Sequence, residues 1–177
     1  NVQVAAGAGG LENMAGLSIA LQWYAIVLFV PGVIANSLLP MLSRMEGDRG
    51  TANRVFLLGL AVNALVAVVM AACTVAVRHR VLELYGTRYT EFSDTFMMLV
   101  LAACVAGSAA MVLQKIVSHG RAAVLLVITV IWSLVFFATL DFRSDAALVP
   151  LDVAVGYLVA NAVQAALAVM WILYRKD

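Results

Sequence analysis

The chain has 177 residues, 64% of them apolar and 12% charged, with 11 Lys+Arg against 10 Asp+Glu and a formal net charge of +1. Soluble globular domains carry about 25% charged residues, so this composition, with a mean hydropathy of +1.01, excludes a soluble enzyme domain and a disordered tail. Near-neutral charge also excludes a nucleic-acid binder, which needs a basic surface to neutralise phosphates.

The opening stretch NVQVAAGAGG has neither the basic region nor the apolar region of a signal peptide. With Asn in place of Met at position 1, it reads as the end of an earlier segment, and the chain is expected to be a piece of a longer protein. A helix needs about 20 apolar residues to cross a bilayer core of about 30 Å. Five uncharged stretches qualify: 13–43, 55–77, 95–114, 122–140 and 153–174. The first is too long for one straight crossing and is expected to tilt, kink or run into an interface. Pro31 near its middle removes a backbone hydrogen bond. Runs such as AVLLVITVIWSLVFFATL are apolar on every side, unlike the alternating strands of a membrane barrel. The expected fold is therefore all-α and integral to the membrane, one helical domain of five transmembrane helices over 1–177.

The connections are 44–54, 78–94, 115–121 and 141–152, and none is a low-complexity linker. In the longest, Val81, Leu82, Leu84 and Tyr85 alternate with Arg78, Arg80 and Glu83. This pattern predicts a short interfacial helix or turn stopped by Gly86. Alternate connections lie on opposite sides of the membrane. One side carries Arg44, Arg49, Arg54, Lys115, Arg121, Arg175 and Lys176; the other carries Arg78, Arg80, Arg88 and Arg143. Basic residues favour the cytoplasmic side, so seven against four places the C-terminus in the cytoplasm and the start of the chain outside.

No catalytic constellation or cofactor motif is present. Cys73 and Cys104 lie in apolar runs and fit no disulfide or metal spacing, and His79 and His119 have no ligand partner at metal spacing. A non-enzyme without a cofactor is expected. What remains is polarity inside the spans. Ser18, Gln22, Asn36 and Ser43 fall close to one face of the first span, with Gln22 and Asn36 14 residues apart, nearly four turns. Such a stripe should face helices or water rather than lipid, as the lining of a polar cavity or as helix–helix hydrogen bonds. Tyr157, Asn161 and Gln164 repeat the theme in the fifth span, while Asn63 stands alone in the second. Lys115 at the end of the third span either snorkels to the headgroups or pairs with an anionic substrate. Trp171 and Tyr174 fit an interfacial belt. Trp23 and Tyr24 read as belt residues ahead of ring platforms for a sugar.

The first span as a unit, ENMAGLSIALQWYAIVLFVPGVIANSLLPMLSRM, resembles the second helix of a repeat in the MOP superfamily of exporters. That superfamily holds the O-antigen and polysaccharide flippases, the lipid II flippases and the multidrug MATE transporters. The carrying features are the G…SIALQWY opening and the LLPMLSR exit with Pro40 and Ser43. LELYGTRY is similar to the stretch before a repeat's fourth helix, and QKIVSHGR to the turn between its fourth and fifth. The resemblance implies the last five helices of a six-helix half-bundle, one of two that form a V with the substrate path between them. The implied partners are the missing N-terminal half of the same chain, the bilayer and a lipid-linked glycan. The spans hold no acid, unlike many ion-coupled drug exporters, and no dense arginine set, unlike the lipid II branch. The polysaccharide branch fits best.

The expected function is thus translocation of an undecaprenyl-pyrophosphate-linked oligosaccharide across the cytoplasmic membrane by alternating access. Arg44, Lys115 and Arg121 would attract the pyrophosphate at the rim. Gln22, Asn36, Asn161 and Gln164 would hydrate sugars along the path. The alternatives are a small-molecule or drug exporter of the same fold and a non-transporting assembly subunit.

Overall fold

A computed structural model describes residues 10–44, 49–143 and 149–174. The elements in chain order are α1 (Gly10–Arg44), α2 (Arg49–Ala76), α3 (Arg78–Tyr85), a 3₁₀ helix (Thr87–Phe92), α4 (Ser93–Ser118), α5 (Ala122–Arg143) and α6 (Pro150–Tyr174). Among the described residues there is no strand. Five of the helices, all but α3, are long and apolar enough to cross a membrane.

Side-chain pairs give the helix directions. Glu12 of α1 lies against Arg88 just before α4, and Asn36 of α1 lies against Gln114 near the end of α4. α1 and α4 therefore run the same way. Lys115 of α4 reaches Asn53 in the first turns of α2, so α2 runs against both. Trp132 of α5 and Ala102 of α4 both meet Asn161 of α6. Ile116, Ile128 and Ala168 then share one apolar cluster toward the Lys115 end, so α6 runs with α4 and α5 against them. The bundle has a Glu12/Arg88 end and a Lys115 end.

α4 is the centre. Half of its most apolar window is buried, 50% against 6% for α5. Lipid tails give helices no hydrophobic reason to associate, so close approach of small side chains matters most. α4 supplies these as Ala102, Ala103, Gly107 and Ala109, all buried. α1, α2 and α6 all pack on α4, and α5 packs chiefly on α6.

α1 runs unbroken through Pro31 and Pro40 for 35 residues, about 52 Å at 1.5 Å per residue. At the Glu12 end α1 meets α3, where Tyr85 OH donates to Gln22 Oε1. Pro31 has no N–H to give Val27, but it is fully buried, and its ring fits the space that the missing Gly107 side chain leaves. α3 almost continues α2: the Val77 N–H bonds to Cys73 and the Val81 N–H to Val77. It ends where Gly86 takes φ +129°, a conformation that favours glycine. The short helix expected at 81–85 is present, with Val81 and Leu82 buried and Leu84 exposed. Gly120, at φ +70°, turns the chain between α4 and α5.

Candidate functional site

Hydroxyls inside the spans are largely satisfied by their own helices. Ser18, Ser37, Thr74, Ser108, Thr129, Ser133 and Thr139 each donate to the carbonyl four residues back. Carboxamides and cations reach further, and they separate into a middle layer and two end groups.

In the middle layer, Asn161 is 3% exposed. Its Oδ1 accepts from Trp132 Nε1 at 2.8 Å, and its Nδ2 donates to Tyr24 OH and to the Ala102 carbonyl, each at 3.3 Å. One side chain so ties α1, α4, α5 and α6 together. Around it Tyr157 meets Tyr24, Trp132 and Phe136 edge-on at centroid distances of 5.1–5.8 Å, a favoured ring geometry. The Phe136 ring comes within 3.2 Å of where a Gly156 side chain would begin. Tyr24 is therefore an internal packing residue. Trp23 likewise packs against Phe96 within the main core cluster. Neither forms the outer belt that their positions imply. Asn63 of α2 is fully buried and donates to the Gly107 carbonyl at 2.7 Å, while its Oδ1 has no partner.

Gln22 and Asn36 share the outward face of α1, but at opposite ends. Their 14-residue separation is about 21 Å along the axis. Gln22 Oε1 accepts from Tyr85 OH at 3.5 Å, near the Glu12 end. Asn36 Oδ1 accepts from Gln114 Nε2 at 2.6 Å, near the other. Beside that pair, Lys115 Nζ stands 3.9 Å over the Phe56 ring and donates to Asn53 Oδ1 at 3.5 Å. Among the described residues no carboxylate pairs with Lys115. The ring faces a cation with its negative side, and the ammonium retains hydrogen-bonding capacity. The structure so brings Asn36, Asn53, Gln114 and Lys115 together from three helices.

The other expected site residues lie apart. Arg121 is exposed at the start of α5, its guanidinium 6.0 Å from the Trp171 ring. Gln164 is half-buried on α6, with no hydrogen bond among the described residues. The Arg44 side chain lies outside the described residues, although its backbone ends α1. Sequence reasoning missed Asn53 and Tyr85; both stand outside the apolar spans, where side-chain reach across helices leaves no periodic signal. No family model, curated protein or solved structure matches the chain.

Proposed function

We propose that this bundle is one half of a two-half exporter that flips an undecaprenyl-pyrophosphate-linked oligosaccharide across the cytoplasmic membrane by alternating access. The observation supporting this reading is the grouping of Asn36, Asn53, Gln114 and Lys115 at one end of an outward helix face. There a cation without a carboxylate partner among the described residues stands beside three carboxamides. The cation supplies charge for a pyrophosphate, and the carboxamides supply donors and acceptors for sugar hydroxyls. Among the described residues this end holds Arg54, Lys115 and Arg121 with no acid, whereas Glu12, Glu83, Glu91, Asp94, Asp141 and Asp152 sit at the other. With the seven-to-four split of basic residues, the Lys115 end is the cytoplasmic one.

The substrate enters from the cytoplasm with its pyrophosphate at Lys115 and Arg121, and its sugars lie along the α1 face between Asn36 and Gln22. Uncharged side chains on that face hold sugars without trapping them by charge. Asn161 acts as a helix clamp behind the path. Replacing Lys115 by Ala lowers export of the lipid-linked glycan at unchanged protein level, and Gln22→Leu and Asn36→Leu act likewise. The check is surface glycan measured at matched membrane expression; normal export in all three variants removes the site.

A further inference from the structure

The two ends of α3 are tied to neighbours whose depth in the bundle follows from residue counts. At its start Arg78 Nε donates to Ser93 Oγ at 3.1 Å. Ser93 opens α4, 22 residues before Lys115, which is about 33 Å along the axis. A bilayer core is about 30 Å thick, so with Lys115 at one rim α3 starts at the other. At its end Tyr85 OH donates to Gln22 Oε1 at 3.5 Å. α1 and α4 run the same way, with Pro31 against Gly107. Gln22 stands nine residues before Pro31 and Ser93 fourteen before Gly107, so Gln22 lies about 8 Å deeper than Ser93. Had α3 run on straight along α2, Tyr85 would stand about 10 Å further out than Arg78, beyond reach of Gln22. α3 therefore turns at Val77 and lies across the end of the bundle, level with the membrane boundary.

Around α3, at about 100° per residue, the residues divide into three edges. Val81 and Leu82 are buried against the bundle, and Arg78 is held by Ser93 and by the Val75 carbonyl. These contacts fix how the helix is turned. One flank is apolar: Val77 is 47% exposed and Leu84 87%. It prolongs the outward line of α2, where Leu65, Val69, Cys73 and Val77 step every four residues, all exposed. Arg80 stands on the same line between Val77 and Leu84, exposed, with no hydrogen bond or ion pair among the described residues. On the other flank, about 140° round from Leu84, His79 is exposed with Glu83 beside it.

We propose that α3 lies half-immersed in the leaflet at the Glu12 end, with Val77 and Leu84 among the upper acyl chains and Arg80 on the phosphate of a glycerophospholipid. Two observations choose this occupant. The apolar flank is continuous with the α2 face that crosses the bilayer, and α3 lies at the depth where headgroups begin. An exposed Leu and an unpaired guanidinium one turn apart suit that boundary. The long Arg80 side chain rises to the phosphates, to which its fork of donors is matched, while Leu84 stays in the chains. His79 and Glu83 meet water. The proposal needs the long helices to span a membrane but does not rest on the transport reading above.

The test uses the full-length protein in vesicles of phosphatidylethanolamine and phosphatidylglycerol, with Cys73 and Cys104 replaced by Ala. A nitroxide is attached at Leu84→Cys, at His79→Cys and, as the lipid reference, at Leu65→Cys. Its collisions are measured with oxygen, which concentrates in lipid, and with a nickel chelate confined to water. The expected label at Leu84 favours oxygen, at a depth just beneath the phosphates, while the label at His79 favours nickel. Nickel favoured at both positions overturns the proposal, because α3 then stands in water. Collision with neither reagent at Leu84 also overturns it, because protein then covers that flank. Native mass spectrometry of the delipidated protein with added phosphatidylglycerol reads the phosphate contact. Arg80→Gln is expected to weaken retention of one lipid about fivefold, the worth of one basic residue at a lipid surface. Unchanged retention in that variant removes the phosphate site.

Discussion

Asn161 and Asn63 are both carboxamides buried in the middle of a span, and they are not equivalent. Asn161 makes three hydrogen bonds to three other helices, whereas Asn63 makes one and leaves its oxygen unpaired. Interhelical bonds in bilayers average about 0.6 kcal/mol. Asn161→Leu is therefore expected to cost about 2 kcal/mol from three such bonds. Asn63→Leu loses one bond but also removes a buried unpaired acceptor, which costs about 1–3 kcal/mol, so it should be near neutral or stabilising. Denaturant titration in micelles, scored by the fraction folded, checks both; an Asn63 variant weaker than the Asn161 variant refutes the ranking. The sequence marked both residues as polar in an apolar run. It carried no sign of which would be saturated, because that depends on Trp132 and Tyr24, which are distant in the chain.

Among elements, the junction of α1 with α4 tolerates little added bulk. A side chain on Gly107 would begin 3.1 Å from Pro31 Cβ and 3.4 Å from Ala67 Cβ, whereas one on Gly59 would meet only the ends of Leu38 and Met111. Leucine and methionine ends can rotate away; a proline ring within a helix cannot. Gly107→Ala should cost about 1–3 kcal/mol, the usual range for overpacking. Gly59→Ala, helped by the better helix propensity of alanine, should be close to neutral. Thermal melts of the purified protein decide, and equal melting points defeat the argument. The spans were legible because a bilayer demands about 20 apolar residues whatever packs beside them. The error over Trp23 and Tyr24 has the same root. Hydropathy reports depth in the membrane and nothing about azimuth, so a ring near one end reads as a belt even when it points at Phe96 or Tyr157.

For the whole molecule, sidedness is the strongest expectation. Cysteines at Arg49 and Arg88, tested with an impermeant label on intact cells, should react from opposite sides, with Arg88 labelled from outside. Labelling of both from one side ends the topology. By contrast, the exposed ion pair between Arg88 and Glu12 should matter little. Arg88→Ala is expected to cost at most about 1 kcal/mol, as for other surface pairs. Of the candidate site, the sequence supplied Gln22, Asn36 and Lys115 as polar exceptions. It joined Gln22 to Asn36 because they share a helix face. The fold instead joins Asn36 to Gln114, the neighbour of Lys115, since α4 lies beside α1 in the same direction, and lateral order of this kind leaves no trace in a hydropathy pattern.

The central place of α4 also bears on how the protein is made. Asn63 is synthesised 44 residues before Gly107, whose carbonyl it needs, and Tyr24 137 residues before Asn161. At 5–20 residues per second these gaps last about 2–9 s and about 7–27 s. During that time α1 and α2 lack α4, and an unpaired carboxamide on α2 is unwelcome among lipid tails. The membrane insertion machinery must shelter α1 and α2 until α4 arrives to close them.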